Sequence, residues 1–488
     1  MNKTIRHTSV FVLLLVLALL GRATWVQAYR AEALADDQKN RRNTIAQYAQ
    51  PLGNIVVAGS PVTGSKRTEG TEGTEGTDLE YRRAYTDGEL YAAVTGYSSQ
   101  AYGSTQLEGI YADVLDGTDD RLKNPLDAVT RKQREPGTVL TTIDPAVQEA
   151  AYRALGNKKG AAVAVDPVSG RILALASTPS YDPSKISGTN DGAAWRELTG
   201  DPDKPLVNRA LRQPLPPGST FKLVVAAAAL EDGLYRSVDT ATESPSPYTL
   251  PHTRTVLRNE NASAPCENAT IRTALRYSCN NVFGKMAADL GQDKVRAMAE
   301  RFGFNDAELD VPVRAYASVY PSTMDPAQTA LSGIGQFDVT ATPLQMAMVS
   351  AAIANDGLLA APHMVSEVVD SDGDALTSYE DGDTRRIVSS ATAAQLRSAM
   401  VTVVEEGTGT NAAVAGAEVG GKTGTAQHGE NNSKTPYAWF TSYAKDPATG
   451  KQVAVAVMIE DSGAARSEVS GNGLAAPVAQ KMMAAALK

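Results

Sequence analysis

Histidine and cysteine are scarce in this 488-residue chain: His7, His252, His363 and His428, and two cysteines. So widely scattered, they assemble no zinc-ligand spacing, and no metal or other cofactor is expected. An excess of positive charge is missing as well. Lys and Arg number 46 against 55 Asp and Glu, a formal net charge of −9, which excludes the basic footprint of a nucleic-acid binder. Long apolar runs are absent with one exception, Val10 to Leu20 near the N-terminus. What remains is ordinary globular material, 42% hydrophobic and 21% charged, long enough for two or three domains. Its chemistry has to be done without a histidine cluster or a metal.

The apolar exception decides the compartment. Its 11 uninterrupted residues are short for a membrane span and fit the core of a signal peptide, with Val26-Gln27-Ala28 offering a cleavage site. The wider stretch 8–28 crosses if Arg22 snorkels to the interface where Trp25 also belongs. Either way the bulk of the chain is exported. Lys3 and Arg6 hold residues 1–7 in the cytoplasm, so 8–28 is taken as a single-pass signal-anchor.

Residues 29–141 read as a small mixed pedestal. Tyr29 to about Asn40 reads as a helix leaving the membrane, and Asn54 to Val57 as a strand. Thr68-Glu-Gly, Thr71-Glu-Gly and Thr74-Glu-Gly form a perfect repeat within 66–78 that cannot support a core, hence a solvated loop. A second domain, 142–488, is expected from Thr142. Asp144 caps a helix that has Pro145 at its first position and Gly156 at its end. Ala161–Val165 and Arg171–Ala176 flank Asp166-Pro-Val-Ser-Gly170 as a hairpin. Three strands, 419–427, 437–443 and 452–459, and a helix over 475–487 close the chain. Strands from both ends with helices between give an α+β fold, one antiparallel sheet covered by helices.

The chemistry is concentrated in Ser219-Thr220-Phe221-Lys222, after Pro216-Pro217-Gly218 and before the apolar run Leu223–Leu230. At helical spacing a hydroxyl and an amine three residues apart share one face. A helix N-terminus adds positive partial charge beside the serine, and an amine can remove its proton. Alone this is weak, since about one S-x-x-K is expected by chance in a chain of this length. Ser278-Cys279-Asn280 follows 59 residues later and Lys422-Thr423-Gly424 a further 144, and the ordered trio is similar to that of penicillin-binding proteins and class A β-lactamases. Cys266 and Cys279 are either two small buried hydrophobes or, in an exported domain, a disulfide stapling the segment of Ser278. Tyr437 and Trp439 read as packing residues and His428 as a turn residue, while Glu405-Glu406, adjacent on a helix and facing different ways, make no acid–base pair.

Together with Asp166-Pro-x-Ser-Gly170, Tyr181-Asp-Pro183, Asn208-Arg-Ala210, Gly333-Ile-Gly-Gln336, Ala341-Thr-Pro343 and Gly407-Thr408, these motifs resemble the class B penicillin-binding proteins, in their actinobacterial form. The likeness covers about Thr142 to Leu487. Pro51-Leu-Gly-Asn-Ile55 departs from the Arg-Gly often found there. The resemblance implies a serine transpeptidase domain with a β-lactamase-like fold. It implies Ser219 as nucleophile on a D-Ala-D-Ala stem peptide of peptidoglycan, Lys222 as base, and Ser278 and Asn280 completing a polar network. Lys422, Thr423 and Thr425 would hold the terminal carboxylate, Gly424 would clear a strand edge for the substrate, and the N–H groups of Ser219 and Thr425 would form the oxyanion hole. β-Lactams would acylate the same serine. With too few residues ahead of the domain for a glycosyltransferase, a separate SEDS-type polymerase is the implied partner. The same scaffold also serves D,D-carboxypeptidases and β-lactamases, and a non-catalytic β-lactam-binding scaffold is the reading from another class.

Overall fold

The computed structural model describes residues 3–30, 47–68, 79–122, 135–379, 381 and 383–488. The expected helix beyond Tyr29 and nearly all of the Thr-Glu-Gly repeat lie outside the described residues. The last strand before the repeat, Thr63–Arg67, pairs with Tyr81–Tyr85, so regular structure takes in Lys66 and Arg67, the first two residues of the expected loop 66–78.

Five strands form the central sheet: β1 (Lys159–Val165), β2 (Ile172–Thr178), β3 (Glu418–Ala426), β4 (Tyr437–Lys445) and β5 (Gln452–Asp461). They are antiparallel, in the order β3-β4-β5-β1-β2. Alternate side chains of a strand face opposite ways, and both faces here are buried. On β1, Ala161, Val163 and Val165 enter one core while Ala162 and Ala164 enter another. That is why β1, β2 and β5 read as near-continuous apolar runs.

One face carries two helices. In α1 (Pro145–Leu155), Asp144 accepts from the N–H groups of Ala146 and Val147 at 2.8 and 3.1 Å, which satisfies donors the helix itself cannot. Ala476–Ala486 packs beside it. The opposite face carries α2 (Lys222–Glu231), α3 (Asn280–Leu290), α4 (Pro343–Ala354) and α5 (Ser390–Glu406). Helices α2 and α4 are apolar on all sides and almost wholly buried, as a helix without a polar face must be. Ser219 is therefore built at the start of an almost wholly enclosed helix.

The expected boundary at Thr142 does not separate two self-contained sheets. A second five-stranded sheet contains 375–378, 365–369, 138–141, 55–57 and 60–61, in that order. Residues 55–57 run parallel to 138–141, and 365–369 pair with 138–141 antiparallel. Two strands from late in the chain thus complete the N-terminal sheet. Ile55, Val139 and Val365 share a continuous core with Val163, Leu175 and Phe221. Inside the N-terminal part, Arg83 and Glu108 form a buried ion pair at 2.6 Å, and the guanidinium also donates to Gly53 O and Thr63 Oγ1.

Near the N-terminus, Lys3–Tyr29 is one 27-residue helix, long and apolar enough to cross a membrane. It starts within the expected tail of residues 1–7. The Arg22 guanidinium lies 4.9 Å over the Trp25 ring.

Candidate active site

Gly218–Phe221 form a single 3-10 turn that leads into α2 at Lys222. Gly218 has φ +54, a region favourable to glycine, and its N–H donates to Gly335 O at 3.1 Å. Gly335 has to be glycine as well, since a Cβ there would sit 2.0 Å from Gly218 O. On the other side the turn leans on β3. The Cβ that Gly424 lacks would meet Pro217 O at 2.8 Å, Trp439 Cβ at 3.0 Å and Thr220 Cγ2 at 3.1 Å. The bare α-carbon of Gly424 lets the serine turn approach the strand, a packing reason for glycine that the sequence did not indicate. Held on two sides, Ser219 is 8% exposed, and it opens onto a cavity of about 530 Å³ lined also by Glu260, Asn280, Gln336, Phe337 and Thr425.

Behind that wall lie two lysines, both with no exposed surface. Lys222 Nζ donates to Ser278 O at 2.8 Å, Asn280 Oδ1 at 2.8 Å and Ser278 Oγ at 3.3 Å. It makes no hydrogen bond to Ser219, although helical spacing places the two on one face. Lys422 Nζ donates to Thr423 O at 2.9 Å, Ser278 Oγ at 3.0 Å and Thr423 Oγ1 at 3.4 Å. The Ser278 hydroxyl thus joins the two amines, and its residue is held at φ +59, an uncommon backbone state for a side-chain-bearing residue.

Two ammonium groups cannot both be comfortable here. Burial first, and then the charge of Lys422, push Lys222 well below the usual lysine value, with Glu260 opposing. Burial pushes Lys422 down to about 7, again opposed by Glu260. Desolvation disfavours the charged form of each, and the like charge adds to it at Lys222. Of the two amines, Lys222 is the one disfavoured as a cation both by burial and by its neighbour's charge.

Ser278 is positioned from three directions. The helix Ile271–Arg276, capped by Thr270, delivers it. Cys266 and Cys279 form a disulfide, so of the two states left open by the sequence the structure has the bond. Asn259 Oδ1 accepts from the N–H groups of Asn280 and Asn281 at 2.6 and 3.2 Å, capping α3 from a separate loop. Asn280 faces two ways: its Oδ1 holds Lys222 and its Nδ2 donates to Arg258 O at 3.0 Å. Of the residues expected on a substrate carboxylate, only Thr425 lines the cavity. Thr423 is 7% exposed, with its hydroxyl 2.8 Å from that of Thr408.

Sequence reasoning missed Asn259 and Glu260, which sit in a loop with no periodicity and no turn signature. Thr408 and Gly335 were visible only as parts of quoted motifs, without their roles. The residues set aside behave as packing and surface groups. Trp439 is buried, His428 stacks on Tyr437 at 3.9 Å, and Glu406 pairs with Arg276 at 3.0 Å.

Residues 160–484 match the model of the penicillin binding protein transpeptidase domain, and residues 52–139 that of the penicillin binding protein A dimerisation domain. The chain belongs to the penicillin-binding protein transpeptidase family. Among curated relatives it is 37% identical to the peptidoglycan D,D-transpeptidase PbpA of Mycolicibacterium smegmatis, over 100% of this chain and 99% of that protein. It is 36% identical, with the same coverage, to PbpA of Mycobacterium tuberculosis. Among solved structures, penicillin-binding protein A from M. tuberculosis as a ceftriaxone acyl-enzyme complex superposes with TM-score 0.82 at 34% identity, covering 91% of this chain and 100% of that one. The penicillin G acyl-enzyme complex of the same protein gives TM-score 0.81 at 35% identity, covering 90% and 100%. The penicillin-binding family is thus an actinobacterial PbpA-type one by full-length likeness as well as by motif.

Proposed function

We propose that this chain is a peptidoglycan D,D-transpeptidase that works through an acyl-enzyme on Ser219 and is inhibited by β-lactams. The observation that carries the reading is a serine opening onto a cleft in front of two buried lysines that share the Ser278 hydroxyl. In this reading Ser219 Oγ attacks the penultimate D-Ala carbonyl of a stem peptide, and neutral Lys222 takes its proton. The C–N bond breaks, and terminal D-Ala leaves with a proton relayed through Ser278. An amine from a neighbouring strand then attacks the ester carbonyl, an amide forms, and Ser219 regains its proton. Free-state geometry leaves Lys222 turned to Ser278 and Asn280, a looseness that catalytic hydrogen bonds commonly lose when substrate arrives. The N–H groups of Ser219 and Thr425 serve as the oxyanion hole, each donor being worth about 3–4 kcal/mol of barrier. Lys422, Thr423 and Thr425 take the substrate carboxylate, supported by the position of β3 at the edge of its sheet.

The apolar helix supports a single-pass anchor with residues 1–7 in the cytoplasm and the catalytic domain outside, followed by a pedestal over 29–141 and the transpeptidase domain over 142–488. A SEDS-type glycosyltransferase in the membrane is the partner this arrangement calls for. A stem-peptide thioester donor offered with and without D-alanine separates the chemistries. A transpeptidase gives the aminolysis product in competition with water. Hydrolysis that D-alanine does not divert makes the protein a carboxypeptidase or a β-lactamase, and no turnover makes it a scaffold.

A further inference from the structure

A second cavity, of about 690 Å³, has no part in the chemistry described above. Its position follows from the sheet. Thr425, at the Ser219 cavity, is level with Ala438 on β4, Ile459 on β5 and Gly160 on β1. The adjacent row, Gly424, Trp439, Met458 and Ala161, faces the serine turn and the core around Phe221. Lys159 is two residues from Ala161 and shares its face. Glu460, in a bulge opposite, reaches Lys159 Nζ at 3.2 Å, and both residues line the second cavity. With neighbouring strands about 4.8 Å apart, Glu460 lies about 10 Å and Lys159 about 14 Å from β3. Both cavities therefore open at one end and on one face of the same sheet.

Lys159, Lys204, Arg209 and Arg212 line the second cavity against one carboxylate, Glu460, a cationic wall on a chain of net charge −9. That carboxylate is already engaged. It accepts from Gln213 Nε2 at 2.7 Å, pairs with Lys159 and lies 3.7 Å from Arg209 Nε. Arg212 is left over. Its half-buried guanidinium lies 5.3 Å over the Tyr316 ring and makes no hydrogen bond or ion pair among the described residues. The wall behind is incomplete too. Seven buried side-chain polar atoms among the described residues have no hydrogen-bond partner, and three of them, Gln106 Oε1, Asn208 Oδ1 and Arg209 Nε, belong to residues of this cavity. Native interiors leave few such groups without a reason.

The attacking amine must come from a strand other than the donor, and every stem peptide, whatever its length, also ends in a carboxylate. We propose that this cavity holds the acceptor strand: Arg212, on its Tyr316 platform, receives the terminal carboxylate of the neighbouring stem peptide while that peptide's side-chain amine reaches the Ser219 ester. A planar guanidinium suits a carboxylate, which it can grip through two parallel N–H bonds. The dimensions agree, because a four-carbon amine side chain and one further residue span about 10 Å. The inference rests on the transpeptidase reading.

Full-length wild-type, Arg212→Gln and Arg212→Lys proteins are given a stem-peptide thioester donor with each of three acceptors. Nα-acetyl-lysyl-D-alanine carries amine and carboxylate at spanning distance, its C-terminal amide carries the amine alone, and D-alanine is too short to span the two cavities. For the wild type the expected result is a KM for the free acid about fivefold below that for the amide, the order of a partly exposed ion pair. Arg212→Gln should raise the KM of the acid to that of the amide, and Arg212→Lys should keep most of the difference. Aminolysis by D-alanine should not move in either variant. A wild type that takes acid and amide alike, or an Arg212→Gln protein that loses all three acceptors together, would overturn the proposal. Acylation by benzylpenicillin needs no acceptor and tests the transpeptidase reading separately. Failure there in the wild type removes that reading, whereas normal acylation without a preference for the acid removes only the acceptor site.

Discussion

Ser278 Oγ is the narrowest point of the site, because both lysine amines reach it and nothing else joins them. Removing a positioned proton-transfer group typically costs 10²–10⁴-fold in rate. Ser278→Ala should therefore lower the second-order rate of acylation by benzylpenicillin about a hundredfold or more, with the fold retained by circular dichroism. The two lysines set opposite pH limbs. Lys222 lies well below its usual value, so protonating it on acidification removes the base and slows acylation. Lys422 titrates at about 7, so its cation, and with it the grip on a carboxylate, is lost as pH rises through that value. Acylation should pass through a maximum and decline above about 7. Lys422→Arg, which stays charged, should flatten that alkaline limb while leaving the acidic one. An alkaline limb unchanged in the arginine variant would remove Lys422 from this role.

At the scale of elements, the serine turn depends on contacts too close for any side chain. Gly335→Ala would put a Cβ 2.0 Å from Gly218 O in a left-handed backbone, so the turn must shift. Loss of acylation is expected even where the thermal transition survives. The Cys266–Cys279 bond closes a loop of sequence separation 13, for which chain entropy gives about 3 kcal/mol. A doubly Ala-substituted protein should lose about that much in urea unfolding. The motif segments were legible because each is a local pattern with local consequences: Asp144 caps, Gly156 ends a helix, and S-x-x-K opens one. The direction in which Gly424 lacks a side chain was not legible. Alternation along a strand gives the face but not what occupies it, and here Pro217 and Thr220 arrive from 200 residues away in sequence. Asn259 was illegible for the same reason, since the α3 N-terminus that it caps leaves no mark on its own short loop.

For the molecule as a whole, the interlaced second sheet changes what a domain boundary means. Long-range strand pairing carries no local signature, so residues 365–378 read as part of the later domain although 365–369 pair with 138–141. A chain cut to begin at residue 142 would leave that strand edge and the core around Val365 uncovered. Such a chain should be poorly soluble and slow to acylate, whereas one beginning at residue 47 should be soluble and acylate at the full-length rate. Within the N-terminal part, removing one partner of the buried Arg83–Glu108 pair leaves a buried charge, so Glu108→Ala should cost about 3–5 kcal/mol. Because one core runs through both parts, the loss should appear as a single shifted transition in calorimetry.

The decisive measurement is the intact mass of the soluble part, from residue 47 onward, after mixing with benzylpenicillin, beside the Ser219→Ala variant. A single lasting adduct of one penicillin, absent from the alanine variant, is the expected result for a serine acyl-enzyme that water resolves slowly. An adduct that persists in Ser219→Ala, or no adduct in the wild type, would contradict Ser219 as the acylated residue.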